Sequence, residues 1–98
     1  MSTEKVYSLK EIEKYLETRL PNWYYENGWI RRKYKTSGWK STLMVINTIG
    51  HLAEAAWHHP DISASYAFVI VKLQNHAAKG ITDKDFLLAG IYELTILP

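Results

Sequence analysis

The pair Asn27-Gly28 constrains the fold more than any other feature of this 98-residue chain. Both residue types tolerate positive φ at low cost, and Asn-Gly between two β-forming arms is the strongest short-range hairpin signal. The arms are residues 23–26 and Trp29–Lys35. In the second arm Ile30, Arg32 and Tyr34 share one face, while Trp29, Arg31 and Lys33 share the other. A sheet that begins with a tight hairpin begins antiparallel.

Helical patterns surround this hairpin. Ser8-Leu9-Lys10-Glu11 has capping-box spacing, and Leu9, Ile12, Tyr15, Leu16, Arg19 and Leu20 then mark one helical face. Pro21 stops that helix, so it covers residues 9–20, with residues 1–7 a short, frayed lead-in. Thr36-Ser37-Gly38 is turn chemistry. After it, Trp39, Leu43, Ile46, Ile49/Gly50, Ala53 and Ala56/Trp57 recur every three or four residues. They predict a long amphipathic helix ending near Trp57, in which Gly50 allows close packing of another element. Pro60 cannot continue it.

Residues 62–73 are rich in β-formers and read as one long strand, or as two short ones with a tight turn near residues 65–67. Lys79-Gly80 is a break. Thr82-Asp83-Lys84-Asp85 repeats the capping pattern, and Phe86, Leu87, Gly90, Ile91 and Leu94 carry a third helix to about Thr95. The order α-β-β-α-β-β-α predicts an α+β fold: a four-stranded antiparallel sheet with three helices packed on one face. Ninety-eight residues make a single domain, 1–98, and a chain this size gains from oligomerisation.

Composition excludes several classes. With no cysteine there are no disulfides, no thiolate nucleophile and no Cys-ligated zinc. A net charge of +2 does not by itself imply nucleic acid or an anionic membrane. The N-terminus is polar, with no apolar run behind it, so neither a signal peptide nor a membrane span is expected and a cytoplasmic setting is the default. Four Trp and seven Tyr read as core and interface material first, and as ligand stacking second.

Three of the four histidines fall between His58 and His76. Imidazole is the side chain whose unperturbed pKa lies closest to neutrality, so this grouping points to proton transfer or metal binding. Glu54 and His58 lie four apart, on one face of the long helix, and His59 sits just past its end. An antiparallel sheet can return His76 to their neighbourhood. Asp85 lies in the first turn of the third helix, where the helix dipole favours a carboxylate and where it can orient an imidazole. His51, in mid-helix with no special neighbours, reads as an ordinary surface residue.

Taken together, Glu54-x-x-x-His58-His59-Pro60-Asp61, then Tyr66, then Asn75-His76-x-x-x-Gly80-Ile81-Thr82-x-x-Asp85, resembles the signature of the pterin-4a-carbinolamine dehydratase family. The likeness runs upstream to Trp39 and downstream through Phe86 and Ala89. It covers about two-thirds of the chain clearly and the first third loosely, through Trp23 and the strand carrying Arg32 and Tyr34. The resemblance implies the same α-β-β-α-β-β-α fold and dehydration of a 4a-hydroxytetrahydropterin to a quinonoid dihydropterin plus water, in support of pterin cofactor recycling. It implies neither a metal nor an organic cofactor. Carried across by residue, His58 and His76 would be the acid/base pair, and His59 would bind and position the ring. Glu54 would anchor polar edge atoms of the pterin, and Asp85 would hold an imidazole in its useful tautomer or bond near the site. Catalytic groups are thus expected at His58, His59 and His76, and substrate-binding groups at Glu54, His59 and Asp85. This chain departs from the family pattern at Asn75, often Thr, at Ile62, an aromatic position, and at Trp57, acidic in some members.

Three competing readings stand beside it. His58, His59 and His76 with Glu54 or Asp85 supply the donors for zinc, but adjacent histidines diverge and no His-x-x-x-His spacing exists. The helix face with Trp39, Leu43 and Ile46 reads either as a subunit interface or as packing on the chain's own sheet. The family resemblance also admits a dimerisation or transcription-cofactor module. Arg31-Arg32-Lys33-Tyr34-Lys35 with Lys40 interleaves cations and an aromatic, as a nucleic-acid surface does, although such a run is usually a solvated strand face. The reading carried forward is a homodimer or homotetramer acting on a small pterin, with no membrane or nucleic-acid partner.

Overall fold

A computed structural model describes residues 4–96. The elements are α1 (Leu9–Arg19), β1 (Tyr24–Glu26), β2 (Trp29–Lys35), α2 (Trp39–Ala56), β3 (Asp61–Ser65), β4 (Phe68–Leu73) and α3 (Asp83–Thr95). All pairings are antiparallel, in the order β1-β2-β4-β3.

The local signals act as their chemistry dictates. Asn27 and Gly28 take φ of 49° and 88°, and the two-residue loop sets Glu26 opposite Trp29. Ser8 and Glu11 form a capping box at the start of α1. The hydrogen bond from Lys5 and the Ser8 N–H hold the Glu11 carboxyl down at about 2. The segment at 62–73 resolves into two strands, turning at Tyr66-Ala67.

The sheet alternates cleanly. Ile30 and Tyr34 of β2, and Val69, Val71 and Leu73 of β4, are buried under the helices. Each such side chain contributes about 1.5–3 kcal/mol relative to exposure. Across the layer, α3 supplies Phe86, Leu88, Ala89 and Tyr92, and the buried Tyr92 hydroxyl donates to the Ile49 carbonyl of α2 at 3.1 Å. Glu93 accepts from Trp23, Arg32 and Tyr34, which satisfies three donors at the edge of the core with one carboxylate oxygen.

Two expectations shift. Residues 4–7 are docked rather than frayed. Tyr7 donates its N–H to Ile81 and its hydroxyl to Asp83, and its ring meets Phe86 edge-on at 5.0 Å, while Tyr15 stacks on the same ring at 3.9 Å. The apolar stripe of α2 packs along its later part, where Ile46, Ile49 and Ala53 meet the core as the spacing predicts, but not at its start. Thr42, Ile49 and Ala53 are buried, whereas Trp39 and Leu43 are 53% and 42% exposed. The helix is apolar on more than one side, so spacing alone did not set how much of the stripe packs.

The end of α2 is unusual. Trp57 takes the left-handed conformation, φ 52° and ψ 46°, at a position where glycine is usual, and its residue is 75% exposed. Trp57→Gly therefore removes backbone strain and little packing. It should stabilise the protein by about 1 kcal/mol, a rise of roughly 4–8 °C in melting temperature. Thermal unfolding followed by circular dichroism checks this; a fall in melting temperature would mean that the indole contributes more than the strain costs.

Candidate functional site

The left-handed turn at Trp57 decides where the paired histidines go. The His58 N–H returns to the Ala53 carbonyl at 3.1 Å, and the His58 side chain tucks towards α3. There His58 Nε2 lies 2.6 Å from Asp85 Oδ1. Asp85 has no solvent exposure, and its other oxygen accepts the Thr82 N–H at 2.8 Å as the return half of the α3 capping box. Burial pushes the Asp85 carboxyl above its ordinary range, against the Thr82 N–H and His58, which both favour the carboxylate. When Asp85 is ionised its carboxylate only accepts, and His58 then carries its proton on Nε2 and presents the Nδ1 lone pair.

The loop carrying His76 is tied to the same carboxylate. Asn75 is buried, and its amide nitrogen donates to Thr82 Oγ1 and to Glu4, each at 3.2 Å. Its amide oxygen accepts from Ala78 at 3.1 Å, and its backbone pairs with Gly80. The chain Asn75–Thr82–Asp85–His58 thus joins the loop after β4 to the end of α2. His76 itself is exposed and meets the Trp29 ring edge-on at 5.5 Å.

His59 takes the opposite direction from His58. Its Nε2 lies 2.8 Å from Glu54 Oε1, and these side chains are 51% and 68% exposed. A pair this exposed contributes little to stability, about 0–1 kcal/mol. The indole of Trp57 stands edge-on to His59 at 5.0 Å. Register places these groups around one end of the sheet. Leu73 of β4 lies opposite Ile30, and Lys72 lies opposite both Arg31 and Asp61. The exit of β4 therefore runs between the β1–β2 hairpin, beside which His76 sits, and the His58-His59-Pro60 segment that leads into β3.

The structure thus joins Asp85 to His58 and Glu54 to His59. It brings the three imidazoles to one end of the sheet, with no hydrogen bond between any two of them among the described residues. Asp85, expected among the substrate-binding groups, has no solvent exposure and bonds to His58 and the Thr82 N–H. No cluster of three or more His, Asp or Glu side chains is placed to hold a metal among the described residues. The basic run divides. Arg32 points inward to Glu93 at 2.6 Å, Arg31 folds back on Glu26, and Lys33 lies over the Phe68 ring. Among the described residues no helix is long and apolar enough to cross a membrane.

Sequence reasoning missed Trp29 beside His76, the indole of Trp57 and the Asn75–Thr82 link. Only the last left a signal, in the Thr82-to-Asp85 cap, whose other partner is 27 residues away.

Comparison with known proteins agrees with this geometry. The family model described as pterin 4 alpha carbinolamine dehydratase matches residues 5–93. A relative from Aquifex aeolicus (strain VF5), provisionally named a pterin-4-alpha-carbinolamine dehydratase, is 44% identical over 82 residues, which is 84% of this chain and 82% of the relative. A second, from Picosynechococcus sp. and provisionally named in the same way, is 40% identical over 83 residues, 85% of this chain and 89% of the relative. The crystal structure of a transcriptional coactivator/pterin dehydratase from Brucella melitensis superposes with a TM-score of 0.83 over 92% of this chain and 97% of that one, and at 23% identity it speaks for the fold alone. The matched span includes every histidine of the site and the carboxylates that hold two of them, and the chain belongs to the pterin 4 alpha carbinolamine dehydratase family.

Proposed function

We propose that this protein dehydrates a 4a-hydroxytetrahydropterin to the quinonoid dihydropterin plus water, by histidine general acid/base catalysis. The observation that carries this reading is the buried Asp85 carboxylate on His58 Nε2, which leaves the Nδ1 lone pair as a fixed base near the exit of β4. Family membership and the relatives' names support the reaction class.

Hydroxide is a poor leaving group, so the C4a oxygen needs a proton as its bond breaks. His76, exposed and backed by Trp29, supplies it. The N5 lone pair closes the C4a=N5 double bond, and the N5 proton passes to His58 Nδ1. Water leaves, and solvent returns the proton from His58 to His76. His59 stands over the ring, oriented by Glu54, whose second oxygen accepts from polar N–H groups on the pterin edge. The reaction supports recycling of the pterin cofactor, in a cytoplasmic setting that suits a chain without cysteine.

The protein acts as a homo-oligomer. Trp39 and Leu43 are exposed on α2, and Ile62, at 37% exposure, lies on the edge strand β3. Large exposed apolar side chains of this kind mark contact surfaces. Leu43→Glu should lower the solution mass to that of a monomer, read by light scattering behind size exclusion. A wild type that already elutes as a monomer would remove the proposal.

His76→Ala and His58→Ala should each cut turnover by about 10²-fold or more. The check is ultraviolet-monitored decay of freshly generated 4a-hydroxytetrahydropterin, with circular dichroism establishing that each variant is folded. A folded wild type that left the spontaneous decay unchanged would end the dehydratase reading.

Asp85→Asn separates positioning from packing. The amide oxygen still accepts the Thr82 N–H, but its NH2 donates to His58 Nε2 and reverses the tautomer. Turnover should fall by about 10²-fold or more with the fold kept. In the wild type, activity should also fall on acidification through a pH above the ordinary carboxylate range, because Asp85 protonates early. That acid limb should be absent from the residual activity of Asp85→Asn. Nitrogen-15 NMR of the His58 ring reports the tautomer directly, and an unchanged tautomer would refute the role.

A further inference from the structure

His76 stands between two spaces. One is the end of the sheet described above. The other is a cleft of about 390 Å3 walled by the β1–β2 hairpin, the loop after β4, the docked lead-in and the start of α1. Among its lining residues are Tyr7, Leu9, Tyr25, Gln74, His76 and Lys79.

We infer that this cleft binds the substituent at C6 of the pterin, and that it takes one with a flat apolar section and an anionic end in preference to a bare methyl. The inference rests on the dehydratase reading, because it uses the position of His76 relative to the reacting atoms. C4a is bonded to N5, and N5 to C6. An imidazole acting on the C4a hydroxyl therefore has the C6 substituent leaving beside it, and His76 is itself a wall of the cleft.

The walls give the class of substituent. At about 390 Å3 the cleft falls in the range of small-molecule sites, roughly 300–1,000 Å3, and is far larger than a methyl requires. Tyr7, Tyr25 and Leu9 provide aromatic and apolar surface. The Gln74 amide nitrogen is committed to the Gly28 carbonyl at 3.1 Å, which leaves the amide oxygen to accept from an N–H on the substituent. Lys79 supplies a cation, and its ammonium meets no carboxylate among the described residues. Lys79 also sits in the left-handed region, at φ 60°, where glycine or asparagine is the ordinary choice.

The test uses one reaction and two competing ligands. Dehydration of 4a-hydroxy-6-methyltetrahydropterin is inhibited with 6-methyl-7,8-dihydropterin and with 7,8-dihydrofolate, whose C6 substituent is an aromatic amide ending in carboxylates. In the wild type, dihydrofolate should inhibit at a concentration at least about tenfold lower. Leu9→Trp, at an exposed position, fills the cleft and should bring the ratio of the two inhibition constants to about one. Lys79→Gln should lower the ratio severalfold, and the wild-type ratio should shrink as salt screens the ammonium. Equal inhibition by the two ligands in the wild type, or a ratio that neither variant moves, would overturn the inference while the dehydratase reading stood. A wild type, folded by circular dichroism, that does not accelerate the reaction would overturn that reading and this inference with it.

Discussion

Much of this structure depends on one buried carboxylate. Asp85 begins α3 by accepting the Thr82 N–H, and through Thr82 it holds the loop that carries His76. Through its other oxygen it holds His58 and so the end of α2. Its folded pKa is raised, so the folded protein binds the Asp85 proton more tightly than the unfolded chain does. By linkage, the stability this group provides is fully present below the unfolded value near ~3.9 and is lost as pH rises through the raised folded value. At neutral pH the ionised group is therefore a net cost, which the packing of Phe86, Leu88 and Tyr92 around it offsets. A charge held at such a cost where three segments meet fits the proposed role of orienting an imidazole better than a role in stability.

Much of this arrangement was legible in the sequence. Asn27-Gly28, Ser8 with Glu11, and Thr82 with Asp85 each specify a local conformation by their own backbone chemistry, and each stands in the structure as that chemistry requires. Glu54 and Asp85 were legible as neighbours of the histidines because spacing put the first on the histidine-bearing helix and capping put the second at a helix start. Two features were not legible, because they are decided between segments far apart in the chain. The lead-in docks only because Ile81 and Asp83 lie beside it. How much of the α2 stripe packs was decided by what the sheet and α3 present to it. The left-handed Trp57 runs against ordinary capping statistics, and no local signal announces it.

The helix whose expected stripe packs only in its later part is informative for the same reason. A helix that packs on its own sheet alone needs one apolar stripe. Here Thr42, Ile49 and Ala53 meet the sheet, while Trp39 and Leu43 stay apolar and exposed on a neighbouring side. The exposed apolar side chains, Trp39, Leu43 and Met44, lie at the N-terminal end of α2, whereas Ile46 and Leu52 further along pack against the core. An oligomer formed through this patch would bury the start of α2, at the opposite end of the helix from the turn that carries the paired histidines.

That turn also explains why two adjacent histidines do different work. In a continued helix His58 and His59 would stand about 100° apart on one cylinder, and neither would reach α3. One residue in the left-handed region breaks that relation. His58 goes inward to a buried carboxylate and becomes a fixed ring with one free lone pair. His59 goes outward to Glu54, exposed and oriented by a pair that solvent weakens. The two rings thus have different partners and different mobility from the same backbone step. A donor set for one metal ion needs convergence, whereas proton transfer beside a bound ring needs one rigid base and one group free to meet the substrate. The divergence at Trp57 gives the two rings separate partners, which fits the proposed fixed base and separate ring-positioning imidazole better than a shared metal.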